Sequence, residues 1–419
     1  MKDLILAIDQ GTTGTTVLVV DQRMTVRARG YREFAQIYPR PGEVEHDPEA
    51  IWASVTGALG DALKPEDAER LAAVGITNQR ETTLLWERAT GKPVGNAIVW
   101  QDRRTAPQCA ELKAAGHEDF VRQRTGLVLD PYFSATKIKW LLDDIAGLRD
   151  RAEAGQIAFG TVDSFLVWRL SGGRVHATDV TNASRTLLLD LETLRFSDDL
   201  CDIFDVPTQI LPEVKASAGR VAETRGVPGV PDGIPIAGIA GDQQAALFGQ
   251  DCIDTGDAKC TYGTGAFLLM NVGPRPTPSQ RGLLSTVAWT LGEDAGNVVG
   301  PVARKAYALE AIALQNVDLL RAMQADAGHA ITNLRVDGGA AANDLLMQLQ
   351  ADLSGLQIFR PEMVESTALG AAKLAARGVG LPRTDRTGET ARVRIFNPNL
   401  DVATREEMIA RWHSVVTRA

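Results

Sequence analysis

Short apolar runs separated by small polar turns set the rhythm of the chain. Residues 4–8 are apolar, residues 9–16 read Asp9-Gln10-Gly11-Thr12-Thr13-Gly14-Thr15-Thr16, and residues 17–20 are apolar again. Two β-rich runs around a Gly/Thr turn predict a hairpin. The pattern returns at residues 259–270, where Lys259-Cys260-Thr261-Tyr262 leads through Gly263-Thr264-Gly265 into a second apolar run. Two such hairpins half a chain apart predict two related domains facing each other across a cleft, with bounds 1–249 and 250–419. Residues 236–249 read as a small apolar strand, a Gly241-Asp242 turn and an Ala-rich helix start. A further glycine turn, Asp337-Gly338-Gly339, joins a strand to a helix. Residues 226–235, rich in Pro and Gly, predict an exposed loop, and residues 366–372 a small-residue helix suited to close packing at a hinge. Residues 286–290 read as a second strand of the C-terminal domain and residues 296–299 as the start of a third.

Composition narrows the class. A chain of 419 residues exceeds one ordinary core. With 44% hydrophobic and 23% charged residues it is an ordinary globular protein. A net charge of -9 argues against nucleic acid as main partner. It leaves room for a phosphorylated ligand, which backbone N–H groups can hold. Cys109, Cys201, Cys252 and Cys260 lack metal-ligand spacing and are too few for a disulfide scaffold, so free thiols in a reducing compartment are expected. The apolar run at residues 4–8 is too short for a secretory signal and no segment reaches the length of a membrane span. The expected location is the cytoplasm.

Several positions have a structural and a chemical reading. Asp242 either caps its helix or places a carboxylate where the first helical N–H groups favour anions and phosphate. The Gly/Thr turn at residues 10–16 is a plain hairpin, or it holds phosphate through backbone N–H groups and hydroxyls. In the second case Asp9 is placed to bind magnesium, which takes few carboxylates plus phosphate oxygens. Arg80 and Glu81 lie in a turn between two apolar strands, as a solvated ion pair or as donors and acceptor for a hydroxylated ligand. Trp100 ends a strand and Tyr132 precedes a helix, where aromatics fill a core or border a polyol. The run Glu43-Val44-Glu45-His46-Asp47-Pro48 reads as a helix start rather than a metal site.

Longer strings carry a resemblance. They include residues 32–42, Glu45-His46-Asp47-Pro48, residues 75–83, Asn96-Ala97-Ile98-Val99-Trp100-Gln101, Asp179-Val180-Thr181-Asn182-Ala183-Ser184-Arg185-Thr186, residues 132–141 and residues 241–250. Over most of its length the chain resembles the FGGY carbohydrate kinases of the hexokinase–actin fold group. The strings match the glycerol-phosphorylating members better than those acting on xylulose, ribulose or gluconate. The resemblance implies an α/β fold of two actin/hexokinase-like (ribonuclease H-like) domains flanking a cleft, the second one shortened. It implies phosphoryl transfer from ATP to glycerol with Mg2+, in a homodimer or homotetramer. By the same resemblance Arg80, Glu81, Tyr132 and Asp242 hydrogen-bond glycerol with Gln243 beside them, Trp100 and Phe267 pack on its carbon side, and Asp242 is the general base. Thr12, Thr13, Gly14, Thr16, Gly263, Thr264, Gly339 and Asn343 match nucleotide-contacting positions, and Asp9 a position near magnesium. Thr16 stands where many relatives carry Arg, which weakens one phosphate contact.

The chain also departs from the family. Many tens more residues separate the Gly-Thr-Gly hairpin from the Asp-Gly-Gly turn in its members. The part missing after about residue 299 holds a Gly and a Gln that contact nucleotide, the second family signature and apolar core. Apolar exposure costs roughly 25 cal/mol per Å² against a total stability of about 5–15 kcal/mol. A remodelled domain, a partner or poor folding is therefore expected, and a glycerol-binding relative with impaired catalysis is one alternative. A kinase for another small polyol or triose is the other. The segment Val230-Pro231-Asp232-Gly233-Ile234-Pro235 lacks the Arg that relatives inhibited by a sugar bisphosphate use, so no such inhibition is expected.

Overall fold

The computed structural model describes residues 2–262, 266–274, 279, 281–292, 297–300, 309–361, 365–381 and 393–416. The chain forms two compact units, and neither is one continuous stretch. Unit 1 joins Met1–Gly249 to Thr286–Gly296 and Thr367–Asp385; unit 2 takes Gln250–Ser285, Asn297–Ser366 and Arg386–Ala419.

Unit 1 is built on a six-stranded sheet. Its strands are β1 (Leu4–Gln10), β2 (Gly14–Asp21), β3 (Val26–Glu33), β4 (Leu71–Asn78), β5 (Ala218–Glu223) and β6 (Pro235–Gly241), in the order β5-β6-β4-β1-β2-β3. The expected hairpin is β1 and β2, antiparallel with Gln10 opposite Thr15. Strands β1, β4 and β6 run parallel, and β4 and β6 are buried at every position, as continuous small and apolar runs require of a sheet covered on both faces. One face packs Leu4, Leu6, Ile8, Val17 and Val19 against Ile51 and Val55 of helix Pro48–Ala62 and Phe165 of helix Val162–Leu170. Asp47 caps the first of these helices by accepting from the Glu49 N–H at 2.9 Å, with Pro48 at its first position. The expected helix start is thus found at Asp47-Pro48, while Glu45–His46 of the same run pair antiparallel with Ala97–Ile98.

The other face packs Ile5, Ala7, Leu18 and Val20 against Ala368, Ala372 and Ala375 of helix Ser366–Gly378. Small residues are needed on both sides. A Cβ on Gly75 would lie 2.3 Å from the Ala371 carbonyl oxygen, and one on Gly238 2.3 Å from the Ala375 nitrogen. The Pro/Gly segment at residues 226–235 is less exposed than its composition implies. Val227, Val230 and Ile234 are buried in the first core, because apolar side chains at these positions anchor the loop to the sheet. Strand Thr286–Trp289 groups with unit 1, where Val287 packs on Val180, Ala183, Leu189 and Leu191.

Unit 2 repeats the hairpin-plus-parallel-strand plan. Its strands β7 (Ala258–Tyr262), β8 (Ala266–Asn271), β9 (Asn297–Gly300), β10 (Asn333–Asp337), β11 (Gln357–Pro361) and β12 (Val393–Phe396) run in the order β9-β8-β7-β10-β11-β12. Strand β7 pairs antiparallel with β8 and parallel with β10. The strand expected at residues 296–299 is β9, joined to β8 at Met270↔Gly300 and Asn271↔Val299. Leu320 and Met323 from helix Leu309–Ala327, with Leu346, Met347 and Ala351 from helix Asp344–Ser354, close an apolar core over Ala258, Cys260 and Val336. All four cysteines are free and buried. Among the described residues no helix is long and apolar enough to cross a membrane.

Candidate active site

Register places the chemistry of unit 1. Gln10 of β1 lies opposite Asn78 of β4, which lies opposite Gly241 of β6. The turns that follow therefore leave one end of the sheet side by side: Gly11-Thr12, Gln79-Arg80-Glu81 and Asp242-Gln243. The carboxyl ends of parallel strands are where open α/β sheets bind ligands. Asp242 is the first residue of helix Asp242–Gly249. Its Oδ1 accepts from the Gln243 N–H at 2.7 Å and meets Arg80 Nε at 3.0 Å. The Gly241 N–H donates to Thr181 Oγ1 at 2.8 Å, and Thr181 Oγ1 donates to Asp179 Oδ1 at 2.9 Å, so a buried relay fixes the turn. A side chain on Gly241 would collide with Arg80, whose Cδ is 2.6 Å from the Cβ position.

Arg80 and Glu81 are not a solvated surface pair, since their side chains are 2% and 1% exposed. Glu81 has φ 61°, a left-handed conformation that a non-glycine residue holds only when its surroundings demand it. Its carbonyl accepts from the hydroxyls of Thr83 and Ser134, each at 3.1 Å. Its Oε1 accepts from Arg185 Nε at 2.7 Å and lies 3.9 Å from Arg80 Nε. Positive and negative groups thus alternate as Arg185, Glu81, Arg80 and Asp242. Burial opposes the charge on Arg80, but Glu81, Asp242 and Tyr132 outweigh it and hold the guanidinium pKa above its ordinary value. Of the four, only the Asp242 side chain is substantially open, at 34%.

Tyr132 stands just before helix Ser134–Asp144. Its N–H donates to Asp130 Oδ1 at 2.9 Å and its carbonyl accepts from Lys137 Nζ at 2.7 Å. Burial brings the Lys137 ammonium pKa down to about 7 and pushes the Tyr132 hydroxyl up, so the phenol keeps its proton at neutral pH. Trp100 packs edge-on against Tyr132, with ring centres 5.6 Å apart, and its indole N–H donates to Thr12 Oγ1 at 3.1 Å.

The structure therefore joins Thr12, Arg80, Glu81, Trp100, Tyr132 and Asp242 in one web of contacts, with Gln243 buried next to Asp242. Asp9 sits on β1 between Thr16 of β2 and Thr77 of β4. Thr13 accepts through its carbonyl from the Phe34 N–H at 3.3 Å, and Gly14 and Thr16 lie within β2. Phe267, Gly339 and Asn343 belong to unit 2. Phe267 lies on β8 opposite Thr261, and Asn343 caps helix Asp344–Ser354 by accepting from the Leu345 and Leu346 N–H groups. Gly338 is fixed by the fold, because a Cβ there would lie 2.4 Å from the Tyr262 carbonyl oxygen. A Cβ on Gly339 would meet nothing within 4 Å. Gly263 and Thr264 lie outside the described residues. Motif reading missed Arg185, Lys137, Thr181 and Gln244, whose Oε1 accepts from Arg80 Nη1 at 3.2 Å, as parts of this network. The available signal was the single Arg within residues 180–191, a stretch otherwise small, apolar or hydroxylated apart from Asn182 and Asp190.

A fold of this kind with such a site defines a sugar- or polyol-kinase class. The chain belongs to the FGGY family of carbohydrate kinases: the N-terminal domain of the family matches residues 4–249 and the C-terminal domain residues 303–379. It is 45% identical to a glycerol kinase of Myxococcus xanthus, covering 99% of each chain, and 46% identical to one of Alkalilimnicola ehrlichii, covering 99% of this chain and 98% of that one. It is also similar to the crystal structure of Plasmodium falciparum glycerol kinase with ADP, at TM-score 0.89 and 28% identity, covering 99% of this chain and 98% of that one. The gluconate kinase of Lactobacillus acidophilus shares the fold at TM-score 0.84 and 17% identity. The Myxococcus match runs over 491 positions against 419 residues here, so at least 72 positions (491 less 419) have no residue in this chain.

Proposed function

We propose that this chain phosphorylates glycerol, moving the γ-phosphoryl group of ATP to a terminal hydroxyl to give sn-glycerol 3-phosphate and ADP. The observation that carries the reading is the buried alternation of Arg80, Glu81 and Asp242 with one carboxylate left open. Asp242 accepts the hydroxyl proton as that oxygen bonds to phosphorus and the bond to the ADP oxygen breaks. A positioned base contributes about 10²–10⁴-fold to rate. Arg80 fixes the direction of Asp242, and with Glu81 and the Tyr132 hydroxyl it offers donors and acceptors to neighbouring hydroxyls. A ligand lacking a hydroxyl leaves one of these groups unpaired, which is how buried polar sites discriminate. Trp100 gives the carbon side an apolar wall, and Phe267 has the chemistry for a second one. Phosphoryl transfer asks mainly for positioning and charge neutralisation, which fits a site built of fixed charges and hydrogen-bonding groups.

The nucleotide contacts belong to the same proposal: Thr12, Thr13, Gly14 and Thr16 in unit 1, with Gly263, Thr264, Gly339 and Asn343 in unit 2. Among the described residues no group of three metal-ligating side chains occurs. The proposal gives magnesium Asp9 as one carboxylate, to be completed by phosphate oxygens, the manner this ion favours. When bound, the ion supplies neutralisation of charge on the phosphates. A homodimer or homotetramer completes the proposal, and sedimentation equilibrium checks it.

One observation favours a second reading, a glycerol-binding protein with impaired turnover: the 72 or more aligned positions that this chain lacks. Purified full-length chain is given glycerol and Mg-ATP, with ADP formation followed and glycerol binding measured by calorimetry. Steady ADP formation supports the kinase reading. Glycerol heat without ADP supports the second, and neither signal sinks both.

A further inference from the structure

Arg185 has no assigned part in the site, yet its geometry is hard to explain by fold alone. The residue follows helix Val180–Ala183 and its side chain is 1% exposed. Its Nε donates to Glu81 Oε1 at 2.7 Å. Its guanidinium carbon lies 5.0 Å from the centre of the Phe133 ring and 5.9 Å from that of Tyr132. Its Nη1 is buried with no hydrogen-bond partner among the described residues. Burying a guanidinium with one nitrogen unmet is costly, and apolar side chains would fill the same space at no such cost. Its charge must therefore serve something that packing does not need.

That something is Glu81. The ion pairs and hydrogen bonds found for this carboxylate fall on Oε1, from Arg185 and Arg80. The Glu81 backbone is held separately, through its carbonyl, by Thr83 and Ser134. Arg185 thus fixes the one remaining freedom, rotation of the carboxylate.

We infer that Arg185 is a positioning residue for polyol specificity: it pins Glu81 Oε1 so that Oε2 faces the ligand as a hydrogen-bond acceptor, and it spares Arg80 for Asp242. The inference rests on the glycerol reading above. Without Arg185, Arg80 is the one remaining guanidinium in an ion pair with Glu81 among the described residues. Arg80 already reaches Asp242 at 3.0 Å and Glu81 at 3.9 Å, and a shift towards Glu81 would draw it away from Asp242. The substrate contact and the direction of the base would then suffer together, through one residue that touches neither substrate nor phosphate.

The test is a double-mutant cycle in the full-length protein. Arg185→Met and Arg185→Lys are made alone and with Glu81→Gln, and KM for glycerol, KM for ATP, kcat and calorimetric glycerol affinity are measured. Arg185→Met is expected to raise the glycerol KM about 10- to 100-fold, the worth of one charge-assisted hydrogen bond, with the ATP KM unchanged. Arg185→Lys keeps the charge but not the direction of the Nε–H and is expected to lie between wild type and Met. In the Glu81→Gln background the Met substitution should add little, because its target is gone. The inference is overturned by an unchanged glycerol KM in Arg185→Met, or by the same fold-loss in both backgrounds. If the Met variant does not fold, a wild-type glycerol KM in Arg185→Lys overturns it. Failure of the kinase reading is seen in the wild type as missing ADP. In that case calorimetric glycerol affinity runs the same cycle.

Discussion

The two units share a backbone plan and differ in how they bury charge. In unit 1, β1 pairs with β2 as a hairpin and with β4 in parallel; in unit 2, β7 pairs with β8 and with β10 in the same way. At the carboxyl end of its parallel strands, unit 1 carries two guanidiniums and two carboxylates in alternation, one of them open to solvent. Unit 2 carries at the corresponding end a buried set: Asp337, on β10, accepts through Oδ2 from Gln250 Nε2 at 2.8 Å and from Ser366 Oγ, and Lys259 Nζ lies 3.8 Å from Oδ1. One arrangement leaves its acid about a third exposed; the other buries its acid, with Oδ2 hydrogen-bonded and Oδ1 facing only the Lys259 ammonium among the described residues. The same strand scaffold therefore supports a site where an acid is partly open to solvent and a node where an acid is buried.

The sharpest way to break this contrast is Asp242→Asn. Asparagine keeps the shape and can still accept from the Gln243 N–H, but it takes no proton. The variant is expected to lose about 10²–10⁴-fold in kcat while glycerol still binds by calorimetry. Full activity in the variant would remove Asp242 from the chemistry and leave the alternation as architecture.

A second test concerns acid buried in unit 1 with no cation on it. Asp163 accepts from the hydroxyls of Thr161 and Thr178. Burial, with Asp179 nearby, raises its pKa from 3.8 to about 7. A carboxyl whose folded pKa exceeds the unfolded one binds its proton more tightly in the native state. Its contribution to stability is complete below about pH 4 and is lost as pH rises towards 7. About three pKa units correspond to roughly 4 kcal/mol. Asp163→Asn removes the titration, so the melting temperature of the variant relative to wild type should climb between pH 4 and pH 7.5. A constant difference across that range would mean that Asp163 does not titrate there.

Third comes the buried node of unit 2. Lys259→Met leaves Asp337 buried with neutral donors only, and breaking a buried ion pair from one side costs about 3–5 kcal/mol. We expect about 3 kcal/mol by denaturant unfolding, with the glycerol affinity of any folded protein untouched, because Lys259 and Asp337 lie outside unit 1. A change in glycerol affinity of the folded variant would contradict the separation of the two charge systems.

The sequence made some of this legible and hid the rest for physical reasons. Alternating apolar runs and glycine turns gave both hairpins and β6, because strand period and turn chemistry are local properties. Arg80, Glu81 and Asp242 stood out because charges or a carboxylate adjoin buried strands. Their mutual distances were not legible, since they depend on the register of β1, β4 and β6 across more than 200 residues of chain. Arg185 and Lys137 escaped because each meets its partner through packing rather than spacing. The loop at residues 226–235 was misjudged because Pro and Gly outweighed Val227, Val230 and Ile234 in the pattern, while the core outweighed them in the fold.

The smallest effect is the most discriminating within unit 1, because it separates the polyol side from the phosphate side. Trp100 faces both ways: its ring packs on Tyr132 and its N–H donates to Thr12 Oγ1 at 3.1 Å. Trp100→Phe keeps an aromatic against Tyr132 and deletes the donor. A neutral hydrogen bond is worth about 0.5–1.5 kcal/mol, so the Thr12 turn should loosen by at most about tenfold in any equilibrium that depends on it. If that turn holds nucleotide phosphate, the loss appears in the ATP KM and the glycerol KM stays close to wild type. If the loss appears in glycerol instead, the indole ring itself is the apolar wall and the Thr12 bond is incidental. The two outcomes cannot both dominate, because the substitution removes one donor and only part of one ring face, and the side that responds is the side on which Trp100 acts.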